Sequence, residues 1–66
     1  MWDEIGQTAG QVWEYVNLHG ESSTLQIRSS LKITQTLLFL SLGWLAREGK
    51  IALLYRDRSY WVGLRR

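Results

Sequence analysis

Apolar residues recur along the first third of the chain at helical spacing. Ile5, Ala9, Val12, Trp13 and Val16 share one face of a helix running from about Trp2 or Ile5 to Leu18. Asp3 and Glu4 sit where negative charge favours a helix start, and His19-Gly20 closes it, with Gly20 free to take the left-handed cap. A second helix opens at Ser23, which with Gln26 fits a capping box. It spans about Thr24 to Leu31, with Leu25, Ile27 and Leu31 as inward candidates. Lys32-Ile33 leaves room only for a helix-helix corner. Thr34 can cap a third helix that runs to about Glu48 and is closed by Gly49. The period then changes. Lys50 to Tyr55 and Tyr60 to Leu64 read as strands around the polar tip Arg56-Asp57-Arg58-Ser59, which makes a hairpin. Pairing Tyr55 with Tyr60 sets Leu53 opposite Val62 and Ile51 opposite Leu64 on one face, and Leu54 opposite Trp61 on the other.

Helix, turn, helix and hairpin, behind a leading helix, is the order of a winged helix-turn-helix. The expected fold is α+β, one domain over residues 1–66, three helices followed by a two-stranded β-hairpin wing. The expected core is Val12, Trp13, Val16, Ile27, Leu31, Leu38, Leu42, Leu45, Ile51, Leu53 and Val62. Around the third helix, Leu38, Leu42 and Leu45 fall within about 60° and form the inward stripe. Leu37, Leu40 and Trp44 form a second apolar stripe. A helix apolar on two sides is usually covered on both. Trp44 therefore either packs on its own hairpin or, with Leu37 and Leu40, meets another molecule. Gly6 and Gly10, with Ala9 beside them, leave either a frayed first turn or a smooth surface for close helix approach.

At 66 residues the chain is marginal as a folding unit. Four Trp, three Tyr and one Phe are one means of enlarging so small a core, and dimerisation is another. The absence of Cys and the single His leave no thiolate or multi-His metal site, so no metal and no cofactor is expected. No apolar run approaches the ~20 residues that span a bilayer, and no leader pattern is visible. The expected setting is cytoplasmic, with no membrane partner. The net charge of +2 is unevenly spread. Residues 1–24 hold four acids and no base, whereas residues 25–66 hold eight Lys and Arg against two acids. That polarity suits a domain with one face toward phosphate.

The segment Leu42-Gly43-Trp44-Leu45-Ala46-Arg47-Glu48-Gly49-Lys50-Ile51 resembles the end of the third helix in a small stand-alone winged helix-turn-helix family of bacteria and archaea. That family is classed as a domain of unknown function, and its members carry an LGWLARE segment there. Ala9-Gly10, Val12-Trp13 and Asn17 to Gly20 are similar to the family's first helix, so the likeness runs through essentially the whole chain. The resemblance implies a fold and carries no activity. Ser22 to Thr24 is more polar than the short first strand that winged helices generally have, which argues against a stable third strand.

Acid-base catalysis needs titratable groups within mutual reach. Four of the six acids lie in the first 24 residues, and neither Ser22-Ser23 nor Ser29-Ser30 has a base nearby in sequence. Gly6-x-x-x-Gly10 lacks the Lys-Ser/Thr of a phosphate loop. No catalytic residue, enzyme activity or small-molecule substrate is expected. Two readings remain. In the first, a regulator-like module binds DNA with little sequence specificity. Phosphate contacts come from Arg28, Ser29, Lys32 and the helix start at Thr34. Gln35 can pair with adenine and Thr36 meet a thymine methyl. Arg56 and Arg58 reach from the wing into a minor groove. In the second, the domain binds protein, as a homodimer or with another chain, through Leu37, Leu40, Trp44, Leu54 and Trp61, with Trp2 as a further candidate.

Overall fold

The computed structural model describes residues 2–65; Met1, Arg66 and the side chain of Trp2 lie outside the described residues. The elements are α1 (Trp2–His19), β1 (Ser22–Ser23), α2 (Thr24–Leu31), α3 (Gln35–Arg47), β2 (Ile51–Arg56) and β3 (Ser59–Leu64). The strands form an antiparallel sheet in the order β1-β3-β2, so β3 is central.

Local chemistry sets each helix end. Gly20 takes φ 78 and its N–H donates to the Val16 carbonyl at 2.8 Å, ending α1. Ser23 and Gln26 form the reciprocal capping box expected at the start of α2. At the other end of α2, Lys32 adopts φ 54, and the Lys32 and Ile33 N–H groups both donate to the Arg28 carbonyl. Thr34 Oγ1 accepts from the Leu37 N–H at 3.1 Å and starts α3. Gly49 (φ 72) ends it, with Gly49 N–H bonded to Ala46 O and Lys50 N–H to Leu45 O, each at 3.0 Å. That pair of bonds is a Schellman closure, which needs a left-handed residue where Gly49 stands.

The hairpin register is the expected one: Tyr55 faces Tyr60, Leu53 faces Val62 and Ile51 faces Leu64. The strands extend one pair further, to Arg56 and Ser59, so the turn is only Asp57-Arg58. Both turn residues have positive φ, 53 and 63, as a two-residue type I′ turn requires. The expectation of a purely two-stranded sheet is corrected. Ser22 and Ser23 pair with Val62 and Trp61 despite their polarity. Ser22 is buried there because its hydroxyl donates to the Gly20 carbonyl at 2.9 Å, so no polar group is left unsatisfied.

The core contains Val12, Val16, Ile27, Leu38, Leu42, Leu45, Ile51 and Val62 as expected, and adds Ile5 and Ala9. Leu31 packs on its edge, partly buried. Burial of a side chain the size of Ile27, Leu38 or Leu42 contributes about 1.5–3 kcal/mol. Three expected inward residues are not inward: Trp13 is 36% exposed, Leu53 43% and Leu25 66%. Leu53 has the right face, but it lies on β2, an edge strand of the sheet, whereas its partner Val62 lies on the central β3 and is buried. Leu25 lies in the first turn of a helix too short to wrap the core, and Trp13 flanks the inward row of α1. Ser41 takes a buried place on α3 by donating to the Leu37 carbonyl at 2.8 Å.

Candidate nucleic-acid interface

The left-handed corner at Lys32 turns the start of α3 across the end of α2, and the hairpin folds back toward both. Between them is a cavity of about 270 Å³. Thr24, Leu25 and Arg28 of α2 line one side, and Gln35 and Phe39 of α3 line another. Arg58, Ser59 and Tyr60 of the hairpin complete it. Three of the expected nucleic-acid residues, Arg28, Gln35 and Arg58, are thus brought together from three elements. Lys32, Thr34 and Thr36 are exposed around the α2–α3 corner and the first turn of α3. No carboxylate lines the cavity.

Arg56 and Arg58, two positions apart in sequence, are placed differently. Arg58 sits in the turn and faces the cavity. Arg56 lies on the other side of the hairpin, with Nη2 2.6 Å from Glu21 Oε1 and its guanidinium 4.9 Å above the Trp61 ring. Trp61 Nε1 in turn donates to the Arg56 carbonyl at 3.1 Å. Glu21 and Arg56 are 35 positions apart, so only the three-stranded sheet makes them neighbours. Sequence reasoning missed Glu21 for this reason.

The second apolar stripe is only partly covered. Leu37 is half-buried, while Leu40 and Trp44 are exposed by about two-fifths. Trp44 lines a separate cavity of about 230 Å³ with Gly6, Gly10 and Trp13 of α1, and the Glu48–Lys50 ion pair (3.6 Å) stands at its rim. Among the described residues a Cβ added at Gly6 or Gly10 meets nothing within 4 Å, so none of them packs on the smooth surface of α1 there. Phe39 is an aromatic of α3 that meets the hairpin. Phe39 makes an edge-to-face contact with Tyr60, centroids 6.2 Å apart, and Tyr60 contacts Tyr55 at 4.9 Å. Leu54 and the half-buried Trp61 lie on the sheet face turned away from the core, so they are not continuous with Leu40 and Trp44. Phe39 and Tyr60 carry no distinctive sequence signal. Only the folded register places both at the cavity.

Among the described residues no group of three or more His, Asp or Glu side chains is placed to hold a metal ion, and no helix is long and apolar enough to cross a membrane.

Comparison with known proteins agrees with this architecture. The chain is similar to an uncharacterized protein of Methanocaldococcus jannaschii, 35% identical over 68 aligned positions that cover 98% of this chain and 96% of the relative. Residues 1–64 match the family described as a winged helix-turn-helix domain (DUF2582). With three helices, a wing-like hairpin and a match over nearly its whole length, the chain belongs to this winged helix-turn-helix family.

Proposed function

We propose that this domain is a non-enzymatic, regulator-like module that binds nucleic acid with little sequence specificity, in the cytoplasm, through the groove between α2, the start of α3 and the hairpin. The observation that carries the reading is the convergence of Arg28, Gln35 and Arg58 on one cavity without a carboxylate. Lys32 and Arg58 support it. Both occupy left-handed backbone positions, which cost a non-glycine residue about 1–2 kcal/mol, yet Arg58 lines the groove and Lys32 stands exposed at the α2–α3 corner. Arg28, Lys32 and Arg58 make phosphate contacts, which hold without reading sequence. Gln35 and Thr36 alone offer hydrogen bonds to base edges at the front of α3. Arg56, already bound to Glu21, contributes little.

The test is fluorescence anisotropy with unrelated labelled nucleic acids across a salt series. Three phosphate contacts predict a slope of log K against log salt of about −2.7 on a duplex and about −2.1 on a single strand. Alanine at Arg28 and Arg58 should weaken every sequence alike. No binding at low salt, with amide signals of residues 28–36 and 56–59 unmoved, removes the reading.

A second reading has its own observation, the open surface at Gly6 and Gly10 beside the partly exposed Trp13 and Trp44. There the domain is a protein-binding module or homodimer that uses the apolar side of α3. Light scattering decides it: a strictly monomeric mass at millimolar concentration excludes the homodimer.

A further inference from the structure

We propose that the cavity between α2, α3 and the hairpin receives an unpaired nucleobase, so that the ligand of this domain is single-stranded nucleic acid in preference to a duplex. The inference rests on the nucleic-acid reading above and narrows it.

Four observations converge. The first is size. At about 270 Å³ the cavity falls just below the roughly 300–1,000 Å³ typical of pockets for drug-sized ligands. It suits a single heterocycle, which a duplex, with its bases stacked inside, cannot insert. The second is the aromatic lining. Phe39 and Tyr60 meet edge to face at 6.2 Å and remain substantially exposed, with Tyr55 packed against Tyr60 on the side toward solvent. Exposed rings in this arrangement are a stacking platform that accepts any base. The third is charge. Arg28 and Arg58 flank the cavity, and neither guanidinium has an ion-pair or hydrogen-bond partner among the described residues, in contrast to Arg56. Asp57, next to Arg58 in the turn, is the nearest acid in sequence and is not among the lining residues. The fourth is what the first half of α3 lacks. Beyond Gln35 and Thr36 it presents Leu37, Phe39 and Leu40, which cannot hydrogen-bond base edges in a major groove. An unstacked base asks for the opposite mixture: a ring to lie on, cations for the flanking phosphates, and a few polar groups such as Gln35 and Ser59 for its exposed edge.

The experiment compares a labelled 12-nucleotide single strand with the same strand annealed to its full complement, by anisotropy at low salt. DNA and RNA versions identify which backbone is preferred. The single strand is expected to bind at least tenfold more tightly. Tyr60→Leu and Phe39→Leu should each weaken single-strand binding by about fivefold to a hundredfold, the loss of one stacked base, while duplex affinity stays within about twofold. Tyr60→Phe should retain the affinity. Circular dichroism melts confirm that each variant is folded. In the unaltered protein, the ring-proton signals of Phe39 and Tyr60 should move upfield as single strand is added. Equal or tighter binding of the duplex overturns this inference and leaves the broader reading standing. So do ring signals that stay fixed while the strand binds. If neither probe binds, both readings fall together.

Discussion

Arg58 is the residue where stability and binding should part company. It occupies the second position of the Asp57-Arg58 turn at φ 63, a conformation that glycine adopts freely. For a side chain with a Cβ the left-handed region costs about 1–2 kcal/mol. Among the described residues the Arg58 side chain makes no hydrogen bond or ion pair that offsets this. Arg58→Gly relieves the strain but loosens the unfolded chain, which takes back roughly 0.4–1 kcal/mol. The net expectation is a gain of about 0.5–1 kcal/mol, or roughly 2–8 °C in Tm for a domain of this size. Arg58→Ala removes the same charge and keeps the Cβ, so its Tm should stay near that of the parent. Both variants should lose affinity for nucleic acid to the same degree. Thermal melts followed by circular dichroism, with anisotropy on the same samples, measure the two effects side by side. If glycine and alanine give the same Tm, backbone strain at the turn is not what the arginine overcomes. If Arg58→Gly binds as tightly as the parent, the cation has no part in the interface.

Leu42→Ala removes a fully buried side chain from the inward row of α3 and should cost about 2–5 kcal/mol by chemical denaturation; a loss below about 1 kcal/mol contradicts the described core. Ser23→Ala deletes the acceptor of the α2 capping box and should destabilise by about 0.5–2 kcal/mol. The backbone pairing of Ser23 with Trp61 in β1 is kept by alanine, so a value near zero would mean that the cap contributes nothing. Glu21→Gln breaks the ion pair to Arg56, whose partly exposed partners contribute at most about 1 kcal/mol. It also frees a cation on the hairpin, so nucleic-acid affinity should rise in anisotropy; a fall would show that Arg56 has to be held in place to function.

Much of the fold is legible in the sequence because its boundaries are local events. Ser23 with Gln26, Thr34, Gly20 and Gly49 each act through bonds within a few residues of themselves, and the structure places helix ends beside all four. The hairpin register was readable for a similar reason: Tyr55 and Tyr60 are close in sequence and their alternation admits one sensible pairing. What escaped was non-local. β1 exists because two serines meet the middle of β3, a partnership that polarity argued against and that burial of the Ser22 hydroxyl on Gly20 makes possible. The exposure of Leu53 goes with its place on an edge strand while its partner Val62 sits on the central one, a matter of strand order rather than of alternation. The site divides along the same line. Arg28, Gln35 and Arg58 were legible as residue types at the expected positions. The engagement of Arg56 with Glu21 and the pairing of Phe39 with Tyr60 depend on tertiary register, which carries no mark in the neighbouring sequence.

The central place of β3 constrains the order in which the molecule can be assembled. β1 and β2 never touch each other as strands; each finds its hydrogen bonds only on β3, and Ser22 has to wait for Val62, forty positions later along the chain. On the ribosome the three helices can be synthesised and begin to collapse while both outer strands are still single. The Ser22 and Ser23 backbone then stays hydrated until residues 59–64 have cleared the exit tunnel. Such late, long-range closure is slow relative to local helix formation. The loss of β3 in an unfinished or shortened chain would therefore disconnect the whole sheet at once. It would also release Tyr60 and the turn that holds Arg58, dismantling one wall of the proposed groove together with the fold.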